Sequence, residues 1–195
     1  MRVVAGRLRG RQLCPVRDQL VRPTSDRVKT CVFDILGRRV VGAQVLDLFA
    51  GSGALGIEAL SRGAARVVFV ERSRRALLTL EKNLLALGLT AQAEVVCAEV
   101  NRFLRQWRGP VPFDVILADP PYDFAGYEGM LSTVAERGLL SSDGILVLEH
   151  RKGLHLACAP PVLQLVRTRE WGATTVSFFV MRGEAHENGH LPRYL

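Results

Sequence analysis

Gln44-Val45-Leu46-Asp47-Leu48-Phe49-Ala50-Gly51-Ser52-Gly53-Ala54-Leu55-Gly56 carries the pattern from which the rest of the chain can be laid out. Residues 45–49 form a short apolar run interrupted by one carboxylate, which reads as a buried strand. Gly51 to Gly56 is a glycine-rich turn, and residues 54–62 make a helix. Strand, glycine turn and helix in direct succession open a βαβ unit. There, Gly51, Gly53 and Gly56 let the backbone approach a nucleotide closely. Glu71, at the end of the next strand, is placed to receive two ribose hydroxyls. The plainer alternative is a tight turn with no ligand.

Outward from this unit the alternation continues. Residues 66–70 are the second strand. Ser73 caps a helix carrying Leu77, Leu80, Leu84, Leu85 and Leu87, closed by Gly88. Residues 94–97 are a third strand and 99–108 a helix. Phe113–Ala118 is a fourth strand, 126–138 a helix, and 145–149 a fifth strand. Residues 163–168 and Thr174–Met181 leave no room for a helix between them and are expected to run antiparallel. Repeated βα units predict an α/β fold, a mostly parallel sheet with helices on both faces. The closing pair adds one antiparallel strand and makes seven.

The fourth strand stops at Asp119-Pro120-Pro121-Tyr122. Each proline fixes its own φ and lacks an N–H, and Pro121 also restricts Pro120. A rigid turn at the carboxyl end of a buried strand is where open α/β sheets place ligands. The alternative is a stiff loop with a solvated Asp and a packed Tyr.

The chain has 195 residues and a net charge of +7. Residues 1–39 hold ten basic and three acidic groups, and the remainder balances. An arginine-rich proteome accounts for 23 Arg against 3 Lys but not for their concentration at one end. That asymmetry points to an anionic polymer. Three segments are expected: a basic extension over 1–39 with a small hairpin and a helix, a nucleotide-binding domain over 40–182, and a disordered tail over 183–195. In the extension, Val3-Val4 can pair with Gln12-Leu13-Cys14. Thr24 or Ser25 can cap a helix whose apolar stripe is Val28, Cys31, Val32, Ile35 and Leu36, with Arg27, Lys29 and Arg38 off it. Arg2, Arg7, Arg9, Arg11, Arg22, Arg27 and Lys29 are the candidate contacts to that polymer, since Arg suits phosphate. Removing residues 1–24 is expected to leave cofactor binding intact.

No apolar run approaches the roughly 20 residues of a membrane span, and the N-terminus is not a signal peptide. Cys14, Cys31, Cys97 and Cys158 form no CxxC and read as reduced thiols, several packed in the core, in a cytoplasmic protein. His186 and His190 have a metal-like spacing but no cysteine nearby, and no metal is expected. A monomer is the default.

The glycine turn admits NAD or S-adenosylmethionine (SAM). Asp47 favours SAM, because a carboxylate inside the strand end suits a ligand with an ammonium group and no pyrophosphate. Glu99, after the third strand, can face the adenine amine. Phe49, Ser52 and Arg72 flank these as further cofactor contacts.

The run from Asp47 to Gly56, Glu71, and Asp119 to Tyr122 together resemble the motifs of class I SAM-dependent methyltransferases that modify exocyclic amines. Arg2-Val3-Val4-Ala5-Gly6, Arg9-Gly10-Arg11, Arg22-Pro23-Thr24-Ser25-Asp26-Arg27-Val28-Lys29 and Glu58-Ala59-Leu60-Ser61-Arg62-Gly63-Ala64 are similar to the bacterial 16S ribosomal RNA guanine-N2 methyltransferases. The likeness runs from about Arg2 to Met181. Glu99 stands where Asp is expected, and Trp171-Gly172 where Tyr-Gly is more usual. The resemblance implies a Rossmann-like class I methyltransferase fold, SAM as cofactor, and the small ribosomal subunit or its 16S RNA as partner. It further implies that Asp119 and the Pro120 carbonyl accept the two N–H bonds of a guanine N2 amine while Tyr122 stacks on the base. An N6-adenine or other amine methyltransferase, and more remotely a nicotinamide oxidoreductase, are the competing readings.

Overall fold

The computed structural model describes residues 1–16, 26–110, 112–154 and 160–182. The expected caps Thr24 and Ser25, Arg17, Arg22, Cys158, His186, His190 and the 183–195 tail lie outside them. Helix α1 (Asp26–Leu36) has Asp26 in its first turn and gives way to Gly37 at φ 53°. Then β1 (Gln44–Leu48), α2 (Ala54–Ser61), β2 (Arg66–Glu71), α3 (Arg74–Leu87), β3 (Ala93–Cys97), α4 (Val100–Gln106) and β4 (Phe113–Ala118) alternate. After them come α5 (Tyr127–Glu136), β5 (Leu140–Arg151), β6 (Leu163–Trp171) and β7 (Thr174–Met181). Strand β5 begins five residues earlier than its apolar run indicates, because Leu140 pairs with Phe113 across a register shift.

The seven strands form one sheet in the order β3-β2-β1-β4-β5-β7-β6. Neighbours are parallel except at β7, which runs antiparallel to both β5 and β6. The order reverses between β1 and β4, the crevice where doubly wound sheets bind ligands.

Strand alternation sorts the core onto two faces. Val45, Val67, Phe69, Val115 and Leu117 face α1, α2 and α3. Leu46, Leu48, Val68, Ile116 and Leu148 face α4 and α5. The expected helices on both faces are present. Among the described residues no helix is long and apolar enough to cross a membrane.

The N-terminal arm, residues 1–16, packs on the first face with Val3 and Leu13 in the core. Its hairpin reduces to one antiparallel bridge, Arg2 with Gln12, and three backbone bonds around it. Two buried polar residues of α2 tie the arm to that helix. Glu58, on α2, accepts from the backbone N–H of Val4 at 2.8 Å and of Ala5 at 3.0 Å. Ser61 Oγ donates to Ala5 O at 2.6 Å and accepts from Leu8 N at 3.0 Å. Gly6 sits at φ 78°, and a Cβ there would overlap the Ser61 carbonyl, so this crossing needs glycine.

Two expectations are corrected here. Lys29 does not lie on the exposed side of α1: it is fully buried, donating to Arg2 O at 2.5 Å and paired with Glu58 at 3.7 Å. The arm covers that side of α1 and supplies the carbonyl, so Lys29 holds protein rather than phosphate. The described cysteines are not core residues: Cys14 and Cys97 are exposed and Cys31 partly so, all three as free thiols.

Candidate active site

Register places the site. Leu48 is level with Val70 of β2 and with Ala118 of β4. The next residues, Phe49, Glu71 and Asp119, therefore stand side by side at the carboxyl edge of the sheet. Glu71 and Asp119 flank β1 at about 10 Å, two strand spacings. This is the row that the sequence reading brings together.

Phe49 ends β1 with a left-handed turn, φ 61°, the one such non-glycine among the described residues. Its ring meets Phe124 edge-on at 5.0 Å, and Phe124 meets Tyr127 at 5.1 Å. That aromatic column braces the loop after Asp119 against the loop after β1. Phe124, unremarked in the sequence, belongs to the site for this reason.

The glycine loop is folded by its neighbours. Gly51 N donates to Glu71 Oε2 at 2.9 Å, and Glu71 Oε1 accepts from Ser73 N at 2.8 Å. Each carboxylate oxygen retains a second lone pair for a hydroxyl. Gly53 has φ 85°, and a Cβ there would run into Leu80 of α3. A Cβ on Gly56 would overlap the Phe69 ring and come within 2.9 Å of Asp47 Oδ2. These glycines serve close packing of helix on strand as much as room for ligand.

Asp47 is 1% exposed, on the face toward α2, and accepts from Gly56 N at 2.9 Å. Burial pushes its pKa up to about 8; the Gly56 amide opposes this, while the negative charges of Asp119 and Glu71 add to it. Three carboxylates thus converge on one crevice. A pyrophosphate would add charge of the same sign, which removes the footing of the nicotinamide reading. A ligand with an ammonium, a sulfonium and a ribose diol fits: Asp47 for cationic charge, Glu71 for hydroxyls, and the loop backbone for close approach. Among the described residues no cluster of three or more His, Cys, Asp or Glu is placed to hold a metal.

Glu99 caps α4, accepting from Asn101 N at 3.0 Å and Arg102 N at 2.8 Å. The cap accounts for its presence independently of any adenine contact. Arg72 is exposed next to Glu71.

In the second half of the site, Pro120 is buried, Pro121 is exposed, and the Pro121 carbonyl accepts from Phe124 N at 2.9 Å. Asp119 is half-buried, and its N–H faces Leu48 O at 3.5 Å. Tyr122 leaves 49% of its surface exposed while its hydroxyl shares a 3.1 Å hydrogen bond with Thr174 Oγ1 of β7. One end of the ring is fixed while about half of the residue stays in solvent. The antiparallel strand thus serves the site by supplying this anchor.

The arginines spread along the arm. Arg7 donates to Gln92 Oε1 at 2.6 Å and Arg11 to Ala86 O at 3.3 Å, both exposed. Arg2, Arg9 and Arg27 line a cavity of about 360 Å³ with Val3, Val4 and Thr30. Asp26 shares it and pairs with Arg2 at 3.4 Å. Arg22 lies outside the described residues.

The conserved hypothetical protein 95 family model matches residues 1–180. Ribosomal RNA small subunit methyltransferase D of Haemophilus influenzae is 39% identical over 153 residues, 78% of this chain and 79% of that one. The protein of the same name from Escherichia coli K12 is 37% identical over 173 residues, 88% and 85% of the two chains. The solved structure of Escherichia coli yhhF superposes with a TM-score of 0.82 at 34% identity, covering 93% of this chain and 97% of that one. Fold, crevice and similarity agree: the chain belongs to the conserved hypothetical protein 95 family and, with the small-subunit ribosomal RNA methyltransferases D as its relatives, is a class I SAM-dependent methyltransferase.

Proposed function

We propose that this protein methylates the exocyclic N2 amine of a guanine in 16S ribosomal RNA, working on the RNA or the small subunit in the cytoplasm. The observation that carries the reading is the stiff Asp119-to-Tyr122 turn, held one strand spacing from the glycine loop with Tyr122 half exposed. Bound at the loop, SAM supplies an electrophilic methyl on a sulfonium.

The chain's own task is to aim an amine. An exocyclic amine is a poor nucleophile because its lone pair is delocalised into the ring. Asp119 and the Pro120 carbonyl accept its two N–H bonds, turning the lone pair toward the methyl. The prolines keep these acceptors fixed, so orientation carries most of the acceleration. Asp119 also offsets the positive charge that develops on nitrogen. Tyr122, anchored through Thr174, stacks on the extruded base, a contact of about 1–3 kcal/mol. Arg2, Arg7, Arg9, Arg11 and Arg27 hold phosphates without reading sequence. Three of them, Arg2, Arg9 and Arg27, line the cavity between the arm and α1.

Guanine N2 rather than adenine N6 rests on the family resemblance of the arm and of residues 58–64. Labelled SAM incubated with small-subunit particles from a strain lacking this gene, followed by nucleoside analysis, tests it. Label in N2-methylguanosine is the expected result; label in N6-methyladenosine selects the competing base. Asp119→Ala abolishes transfer and leaves SAM affinity within about threefold, since orientation is its role; normal turnover would remove it from the mechanism.

A further inference from the structure

Asn83 of α3 is 3% exposed and spans two parts of the molecule. Its Nδ2 donates to the Ser52 carbonyl of the glycine loop at 3.0 Å and to the Cys14 carbonyl of the arm at 3.1 Å. Its Oδ1 accepts from Cys14 N at 2.8 Å. The amide orientation is set by its partners: two carbonyls can only accept and one N–H can only donate. A second contact joins the same two parts, Ser52 Oγ to Met1 Sδ at 3.8 Å.

The bond to Ser52 falls where the loop needs it. The Ser52–Gly53 peptide is planar, and its N–H donates to Ala50 O at 2.7 Å. Asn83 holds its other end. The plane is pinned from both sides, which sets where the loop's N–H groups point. The arm's far end is held separately, by Glu58 and Ser61. Arg9 and Arg11 lie between those two anchorages, and Arg7 sits within the second, its N–H donating to Ser61 O at 2.9 Å.

We infer that Asn83 is a positioning residue that makes the arginine-bearing arm a wall of the cofactor site, so that cofactor binding and RNA binding strengthen each other. This rests on the assignment of the glycine loop to SAM and of the arm to RNA, and it replaces the expectation that the arm is separable from cofactor binding. Linkage requires the two effects to be equal: the factor by which cofactor raises RNA affinity is the factor by which RNA raises cofactor affinity.

The test uses the full chain, S-adenosylhomocysteine (SAH) as the cofactor probe, and a small-subunit RNA fragment. SAH is expected to raise RNA affinity by at least about fivefold in the wild type. Asn83→Ala lowers SAH affinity by about five- to tenfold, brings the coupling factor to one, and raises KM for SAM while kcat at saturation holds. Ser61→Ala loosens the arm at a point that touches neither the loop nor Asn83. It lowers SAH affinity about two- to threefold in the wild type and has no further effect in Asn83→Ala, the non-additivity of residues acting through one element.

Unchanged SAH affinity in a folded Asn83→Ala, or additive effects of the two substitutions, overturns the inference. If Asn83→Ala does not fold, a wild-type coupling factor of one, or no effect of Ser61→Ala, overturns it equally. Two controls separate the premises. Glu71→Ala that still binds SAH refutes the loop assignment, and Arg9→Ala-Arg11→Ala with full RNA affinity refutes the arm reading.

Discussion

Asp47 and Glu58 are two carboxylates at opposite ends of one short stretch, and burial is nearly the same for both, 1% and 0% exposed. Their surroundings differ. Glu58 is met by two backbone N–H groups, by Arg62 Nε at 2.8 Å and by Lys29 at 3.7 Å. Asp47 accepts from the Gly56 N–H and otherwise faces the negative charges of Asp119 and Glu71. A buried anion matched by cations of its own chain is architecture. A buried carboxyl set among anions, and kept protonated by them and by burial, is matched by a cation from outside. Position on the fold alone does not separate the two; the count of donors around each does.

Three measurements bear on this contrast. The largest effect is expected at Glu58. Glu58→Ala strands Lys29 in the core and frees the arm, and the loss of one partner from a buried pair costs about 3–5 kcal/mol. Urea unfolding reads it; a loss under about 1 kcal/mol would mean that the arm is not held by this carboxylate.

The second is Asp47→Asn, which keeps an acceptor for the Gly56 N–H and removes the charge. Cofactor affinity falls by about tenfold or more, the share of one charge-assisted contact of about 1.5–3 kcal/mol. The ligand-free protein becomes more stable above pH 8, by at least about 2–4 °C, the shift that 1 kcal/mol produces in a domain of this size. Calorimetry with and without SAH shows both; a variant destabilised without ligand would put Asp47 in the same class as Glu58.

The smallest is the pH dependence itself. Folding raises the Asp47 pKa from 3.8 to about 8. Between those values the folded chain keeps a proton that the unfolded chain has lost, so stability from this group is full at low pH and declines as pH rises toward 8. Cofactor binding near pH 7 then releases a proton, since a cationic ligand favours the ionised form. Titrations in buffers of different ionisation enthalpy detect that release, and a binding enthalpy independent of buffer would deny it.

Much of this was legible from spacing. The alternation of β and α units, the glycine loop, and the acids Glu71 and Asp119 at the ends of β2 and β4 are local patterns, and local patterns survive folding unchanged. The tertiary roles were not legible. Lys29 sits at an off-stripe position of α1, and no periodicity can show that sixteen residues from the N-terminus lie across it. Glu99 reads from spacing only as a candidate adenine contact, and its second role, capping α4 through Asn101 and Arg102, is seen only in the fold. Phe49 reads as the last strand residue, whereas the chain turns left-handed there to face Phe124. Asn83 did leave a trace: one amide inside the stripe of Leu77, Leu80 and Leu84. A polar residue on an apolar stripe needs a buried partner. The stripe itself does not show that the partners are Ser52 and Cys14.

The arm's anchorage also sets an order of events during synthesis. Val4 reaches its partner Glu58 across a sequence separation of 54 residues, and Cys14 reaches Asn83 across 69. These are closures of long loops, which come late because their entropy is spent before any contact is gained. Chains emerge N-terminus first, so the arginine-rich segment is made first and fastened only after α2 and α3 exist. Until then its cationic groups are exposed on a growing chain beside the ribosome's own RNA, and docking onto Glu58 and Asn83 is the step that turns a loose basic segment into one with a fixed direction.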